Sequence, residues 1–194
     1  MKLYYSPMAC SLADRIALLE AGVTVEYVRV DLRTKRTMAG EDFTLISPKG
    51  YVPALVLDNG ETLTENIAVL DWIANRYPVL GKIGPLGRAR LLEALSYIST
   101  EIHGSFKPFW HGNSNAEKAR AGKVIAKQFE LLSGGTKGPY LLGETPCVAD
   151  FYLFVMLIWA RRFSVQVPDR FSLLEDRIAS RRSTQVAMRE EGLL

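Results

Sequence analysis

Cys10 is one of two cysteines in the 194-residue chain, and its neighbours place it where a thiol can be activated. Lys2-Leu3-Tyr4-Tyr5 reads as a short strand, Ser6-Pro7 breaks it, and Leu12, Ile16 and Leu19 then recur at helical spacing. Cys10 and Ser11 therefore fall at or just before the first turn of a helix. There the unpaired N–H groups and the dipole favour negative charge. A thiol so placed is expected below the free pKa of roughly 8.5. The competing reading is a small buried hydrophobe, which is what most free cysteines are. No second cysteine lies within CxxC spacing of Cys10, which argues against a dithiol oxidoreductase. Glu65-Asn66 also stand at a helix start, where an acid commonly serves the dipole or a capping box. His103, in Glu101-Ile102-His103-Gly104, sits on a long helix, and a lone helical histidine is more often surface or core decoration.

The elements that must position these groups follow in order. After the first helix, Gly22 marks an end, and Thr24 to Val30 alternates as a second strand. Arg33 to Leu45 reads as a loop with one short helix. Tyr51 to Leu57 is a third strand, and Asp58-Asn59-Gly60 turns it into an antiparallel Glu61-Thr62-Leu63. Thr64 can cap the next helix, whose stripe of Ile67, Leu70 and Ile73 ends near Tyr77-Pro78. That order makes one compact α/β unit of thioredoxin-like type over residues 1–78, with a Pro/Gly linker over 79–85. Residues 86–194 read as all-helical. Leu91/Leu92, Leu95, Ile98 and Ile102 form one long stripe, with further helices at Ala116 to Leu132, Val148 to Arg162, and beyond Leu173.

Composition bounds the partners. A net charge of +3 with scattered Lys and Arg gives no phosphate track for nucleic acid. Two cysteines give no disulfide framework, which fits a reducing compartment. No basic segment followed by an apolar stretch opens the sequence, and the longest apolar run, Phe151 to Ala160, is too short to span a bilayer. The expectation is a cytoplasmic protein with no membrane contact.

Five segments, ordered along nearly the whole chain, resemble one family. YYSPMACSLADRIAL, SPKGYVPAL, LTENIAVLDWIA, EIHGSFKPF and LLGETPCVADFYLF are together similar to the glutathione transferases, most of all to the bacterial beta class. The resemblance implies reduced glutathione as co-substrate, a small apolar electrophile as second substrate, a homodimer, and no metal. It implies a cis Val52-Pro53 bond whose backbone pairs with the extended tripeptide as an added strand. It places Glu65 near the γ-glutamyl ammonium, with the Asn66 side chain and helix-start amides taking the γ-glutamyl carboxylate. Tyr51 belongs to the same segment, and Lys35 reaches the glycyl carboxylate. His103 would face Cys10 and the glutathione sulfur across a cleft, the two forming the catalytic pair. Phe106, Phe109 and Trp110 would line the electrophile's pocket, with ordinary core packing as the alternative. Tyr5 and Ser11 are alternative hydroxyl donors, because other classes of the family use such residues near this turn.

The chain departs from the family pattern at four places. Asn66 stands where serine is usual, Ser96 where asparagine is common, and Gly104 where lysine is common. Cys147 replaces the hydroxyl residue of the Ser/Thr-x-x-Asp capping box that Asp150 completes, so Cys147 reads as structural. The implied chemistry is activation of the glutathione thiol for attack on the electrophile, with thiol transfer or peroxide reduction through Cys10 accompanying it. Two other readings stand beside it: a non-enzymatic ligand carrier or regulatory protein of the same fold, and another glutathione-dependent enzyme such as an isomerase or dehalogenase.

Overall fold

The computed structural model describes residues 1–136 and 138–194. Its sheet is built around β1 (Lys2–Tyr5), flanked by β2 (Glu26–Asp31) and β4 (Ala54–Val56), with β3 (Arg36–Thr37) and β5 (Thr62–Thr64) at the edges. β2 runs parallel to β1, and the other pairings are antiparallel. The parallel pair needs a crossover, which α1 (Ser11–Glu20) supplies. β4 is shorter than the expected Tyr51 to Leu57 strand. Proline has no ladder N–H to give, and pairing with β1 begins at Ala54 opposite Tyr4. The Asn59-Gly60 turn closes the β4–β5 hairpin, with Gly60 at φ +86°. The polar segment between residues 33 and 45 holds β3 and a single 3-10 turn, Phe43–Leu45, capped by Asp42. α2 (Asn66–Arg76) follows, with Glu65 rather than Thr64 at its N-cap.

The remainder is helical, and its central element is α6 (Val148–Arg162), a helix buried on every side from Val148 to Ala160. Each of its large apolar side chains contributes roughly 1.5–3 kcal/mol on burial. The expected long helix is instead a series. α3 (Gly87–Tyr97) runs into a π-helical turn, Ile98–His103, then a 3-10 turn, Gly104–Phe106, and the short α4 (Lys107–Trp110). The apolar stripe survives these changes because Leu91, Leu95, Ile98 and Ile102 all stay buried. α5 (Asn115–Gly134), α7 (Asp169–Ala179) and α8 (Arg182–Glu190) complete the bundle.

α1 lies between the two halves, packed on α2 on one side and on α6 and α8 on the other. Every residue from Ser11 to Leu18 is therefore buried, including Ser11, Asp14 and Arg15. The sequence shows only one apolar stripe on this helix; its polar face is covered by the helical half of the molecule.

Candidate active site

Cys10 is the N-cap of α1, and its carbonyl accepts from Ala13 N–H at 3.0 Å. The loop before it is held from three directions. Ser11 Oγ accepts from Ser6 N–H at 3.3 Å and donates to Ser6 O at 3.5 Å. Met8, at φ +67°, gives its N–H to Glu191 at 3.2 Å and takes the Trp159 indole N–H on its carbonyl at 2.8 Å. Ser11 is fully buried and its hydroxyl is spent on Ser6, so it is no alternative donor to a ligand. Tyr5 is buried with the Arg15 guanidinium 4.7 Å above its ring. Arg15 also covers Tyr27 and pairs with Glu190 and Glu191, so Tyr5 serves that cluster.

The Cys10 thiol donates to the carbonyl of Val52 at 3.7 Å, across 42 residues of chain. The Val52-Pro53 bond is cis, and among the described residues the Val52 N–H has no hydrogen-bond partner. Contrary to the helix-start expectation, the thiol is pushed up to about 12. Burial is the largest cause and the Asp14 carboxyl adds to it, outweighing the Cys10 and Ser11 amides that favour the thiolate. Desolvation of a buried anion exceeds what two amides return. Cys10 is a neutral S–H donor in the unliganded protein.

Asn66 is turned inward. Oriented by its partners, its amide donates to Asp14 at 2.8 Å and to the Cys10 carbonyl at 3.3 Å. Its amide protons are thus engaged within the protein, on α1 rather than toward the edge where Glu65 points. Burial holds the Asp14 carboxyl far above the usual carboxylate range, and its Oδ1 lacks a partner. Glu65, beside it, points outward at φ +72° and pairs with Lys49, which also donates to Thr64 Oγ1 at 3.2 Å. Lys35, at φ +58°, donates to the Gly50 carbonyl at 2.8 Å and lies 5.3 Å over the exposed Tyr51 ring. Lys35, Lys49, Tyr51, Val52, Pro53 and Glu65 are thereby gathered along one edge beyond Cys10.

From the helical half comes His103, at the end of the π turn. Its Nδ1 meets the Tyr152 hydroxyl at 2.6 Å, and its ring stands edge-on to Trp159 with centroids 4.9 Å apart. Burial, with Lys107 adding to it, lowers its pKa to about 4; it is a neutral imidazole at pH 7. Trp159 ties the two halves together, touching His103 with one edge and Met8 with its N–H. Phe106 is fully buried and belongs to the core, which removes it from the expected pocket wall. Phe109 stacks on Phe163 at 4.7 Å, and Trp110 packs edge-on to Trp159 and Phe163 while remaining 41% exposed. Sequence reasoning missed Asp14, Lys49, Tyr152, Trp159 and Glu191. Only Asp14 carried a local signal, an acid one helical turn after Cys10.

The chain as a whole is similar to known proteins. Residues 8–76 match the family model described as the glutathione S-transferase N-terminal domain. Over the full length of both chains, the sequence is 35% identical to glutathione S-transferase GstA of Escherichia coli O157:H7. The chain belongs to the glutathione S-transferase family. Its fold also matches that of a sphingomonad glutathione S-transferase complexed with glutathione, with a TM-score of 0.92 and 40% identity over both whole chains. A bacterial beta-class enzyme of Sphingomonas chungbukensis superposes with a TM-score of 0.90, again at 40% identity and full coverage of both. Within the family, the chain is most similar to the bacterial beta class.

Proposed function

We propose that this protein conjugates reduced glutathione to small apolar electrophiles, a detoxifying chemistry carried out in the cytoplasm. The observation that carries this reading is the 3.7 Å approach of the Cys10 thiol to the Val52 carbonyl. It sets a helix N-terminus beside an extended backbone whose Val52 N–H is unpaired, a combination suited to an extended thiol peptide. The glutathione cysteinyl unit would pair with Val52, and its sulfur would lie beside Cys10 and His103. The γ-glutamyl ammonium would take the place of the Lys49 ammonium on Glu65, its carboxylate would meet the helix-start amides of α2, and the glycyl carboxylate would lie toward Lys35.

Cys10 acts here as a donor. Its S–H would leave Val52 and stabilise the glutathione thiolate together with the α1 amides. The glutathione thiol gives its proton to solvent, and the thiolate attacks the electrophile, its new S–C bond replacing the bond to the leaving group, against the half-buried Phe109 and the exposed Trp110. A Cys10 thiol near 12 disfavours thiol transfer through a Cys10 thiolate. The glutathione-binding unit is residues 1–78, with 79–85 as linker and 86–194 as the helical domain; α2 ends at Arg76 and α3 begins at Gly87. A homodimer is supported by apolar side chains left exposed on the linker, Val79 and Ile83, and just after it, Leu86.

The test is calorimetric titration with reduced glutathione, followed by a conjugation assay with chlorodinitrobenzene. Micromolar to millimolar binding with conjugation above the uncatalysed rate is the expected result. Absence of both would remove the proposal, and a monomeric mass in solution would remove the dimer.

A further inference from the structure

His103 has two ring nitrogens, and only one is engaged. Nδ1 lies 2.6 Å from the Tyr152 hydroxyl, and Nε2 has no hydrogen-bond partner among the described residues. Both groups are neutral at physiological pH. The imidazole pKa is lowered to about 4, and the phenol is pushed well above its ordinary value by burial, with Cys10 and Asp14 adding to it. The hydrogen bond between them is therefore made either by the phenol O–H or by an Nδ1–H, the phenol keeping its own proton in both cases.

The surroundings choose the donor. A phenol oxygen is a good donor and a weak acceptor, because its lone pair is conjugated with the ring, whereas an unprotonated imidazole nitrogen is a strong acceptor. Among the described residues, the Tyr152 hydroxyl has no hydrogen-bond partner other than His103 Nδ1. The Asn66 amide protons are spent on Asp14 and the Cys10 carbonyl. Tyr152 is itself fully buried in α6, the helix whose residues Val148 to Ala160 are all buried.

We propose that Tyr152 is a positioning residue for the reaction: its hydroxyl donates to His103 Nδ1 and so holds the imidazole as the Nε2–H tautomer, a neutral donor available to the glutathione sulfur. This rests on the reading that glutathione binds with its sulfur beside Cys10 and His103. The second nitrogen of a histidine is set by the bond the first one makes. Nδ1–H instead would leave a bare Nε2 lone pair, which repels a thiolate. The charged and titratable groups facing this pair are Cys10 and Asp14 from α1 and Lys107 from α4.

The test begins without substrate. Only His103 and His111 are present, so a His111→Gln protein labelled with ¹⁵N reports His103 alone. Long-range proton–nitrogen correlation should show protonated Nε2 and unprotonated Nδ1 across neutral pH. A protonated Nδ1 would overturn the proposal whatever the activity. In Tyr152→Phe, the tautomers should mix, kcat should fall about tenfold, and KM for glutathione should stay within about twofold. Adding Tyr152→Phe to His103→Ala should cost nothing further in kcat. An unchanged tautomer in Tyr152→Phe, or full additivity of the two substitutions, would also overturn it. Failure of the wild-type protein to bind glutathione would sink the functional reading and leave the tautomer result standing.

Discussion

Alkylation of Cys10 in the unliganded protein should be slow and should show no inflection at ordinary thiol pH. Moving the pKa from the free value of about 8.5 to about 12 is roughly 3.5 units, or about 5 kcal/mol against the thiolate. At pH 7.5 a free cysteine is about a tenth ionised, whereas Cys10 would be ionised to only about 3 parts in 100,000. Because the thiolate is the nucleophile, iodoacetamide should label Cys10 roughly a thousandfold or more slowly than a free cysteine or the same protein in denaturant. Cys147, 2% exposed against 9% for Cys10 and likewise pushed up by burial and by Asp150, should be slower still. The assay is a pH series of labelling rates read by intact mass, with peptide mapping to assign the site. Log rate should climb with unit slope past about pH 9. An inflection below about 8.5 would mean that the α1 amides outweigh desolvation, which would restore the activated thiol that the helix start alone suggests. Labelling of Cys147 before Cys10 would overturn the assignment of the cleft itself.

Glu65→Ala should weaken glutathione binding by about tenfold or more in calorimetry, while leaving Tm nearly unchanged, because the exposed Glu65–Lys49 pair contributes about 0–1 kcal/mol to the fold. His103 links stability to acid. Its folded pKa of about 4 lies below the unfolded value near 6.5, so the unfolded chain binds the proton first. The stabilisation is present above pH 6.5 and is lost as pH falls toward 4, by about 3 kcal/mol in all. Denaturant titrations of His103→Gln should lack that share of the acid slope, and a parallel slope would refute the assignment. Asp150 accepts from Leu141 N–H at 2.8 Å, Cys147 N–H at 2.9 Å and the Cys147 thiol at 3.1 Å. Asp150→Ala strands these buried donors and should cost about 3 kcal/mol in urea unfolding; a cost under about 1 kcal/mol would show that the cap is dispensable.

Local chemistry along the chain already determined most of the elements. The Ser6-Pro7 break, the Asn59-Gly60 turn, the apolar run of α6 and the Tyr77-Pro78 stop each act through residues a few positions apart, so the order of strands and helices and the place of Cys10 at a helix start are legible without coordinates. Asp150 was legible for the same reason, its partner Cys147 lying three residues away; the Asp150 N–H still reaches the sulfur, so the capping box survives the missing hydroxyl. The tertiary structure alone decided what those groups are chemically. Burial of α1 between the two halves converts Cys10 from an activated thiol into a neutral donor. The same burial turns Asn66 toward Asp14 and spends Ser11 on Ser6. The π turn that ends at His103 leaves the apolar stripe of that region intact, so the pattern alone reads as a continuous helix. Desolvation and pairing depend on what covers a residue, and the covering groups, Tyr152, Trp159 and Glu191, lie from 49 to 183 residues away from the atoms they hold.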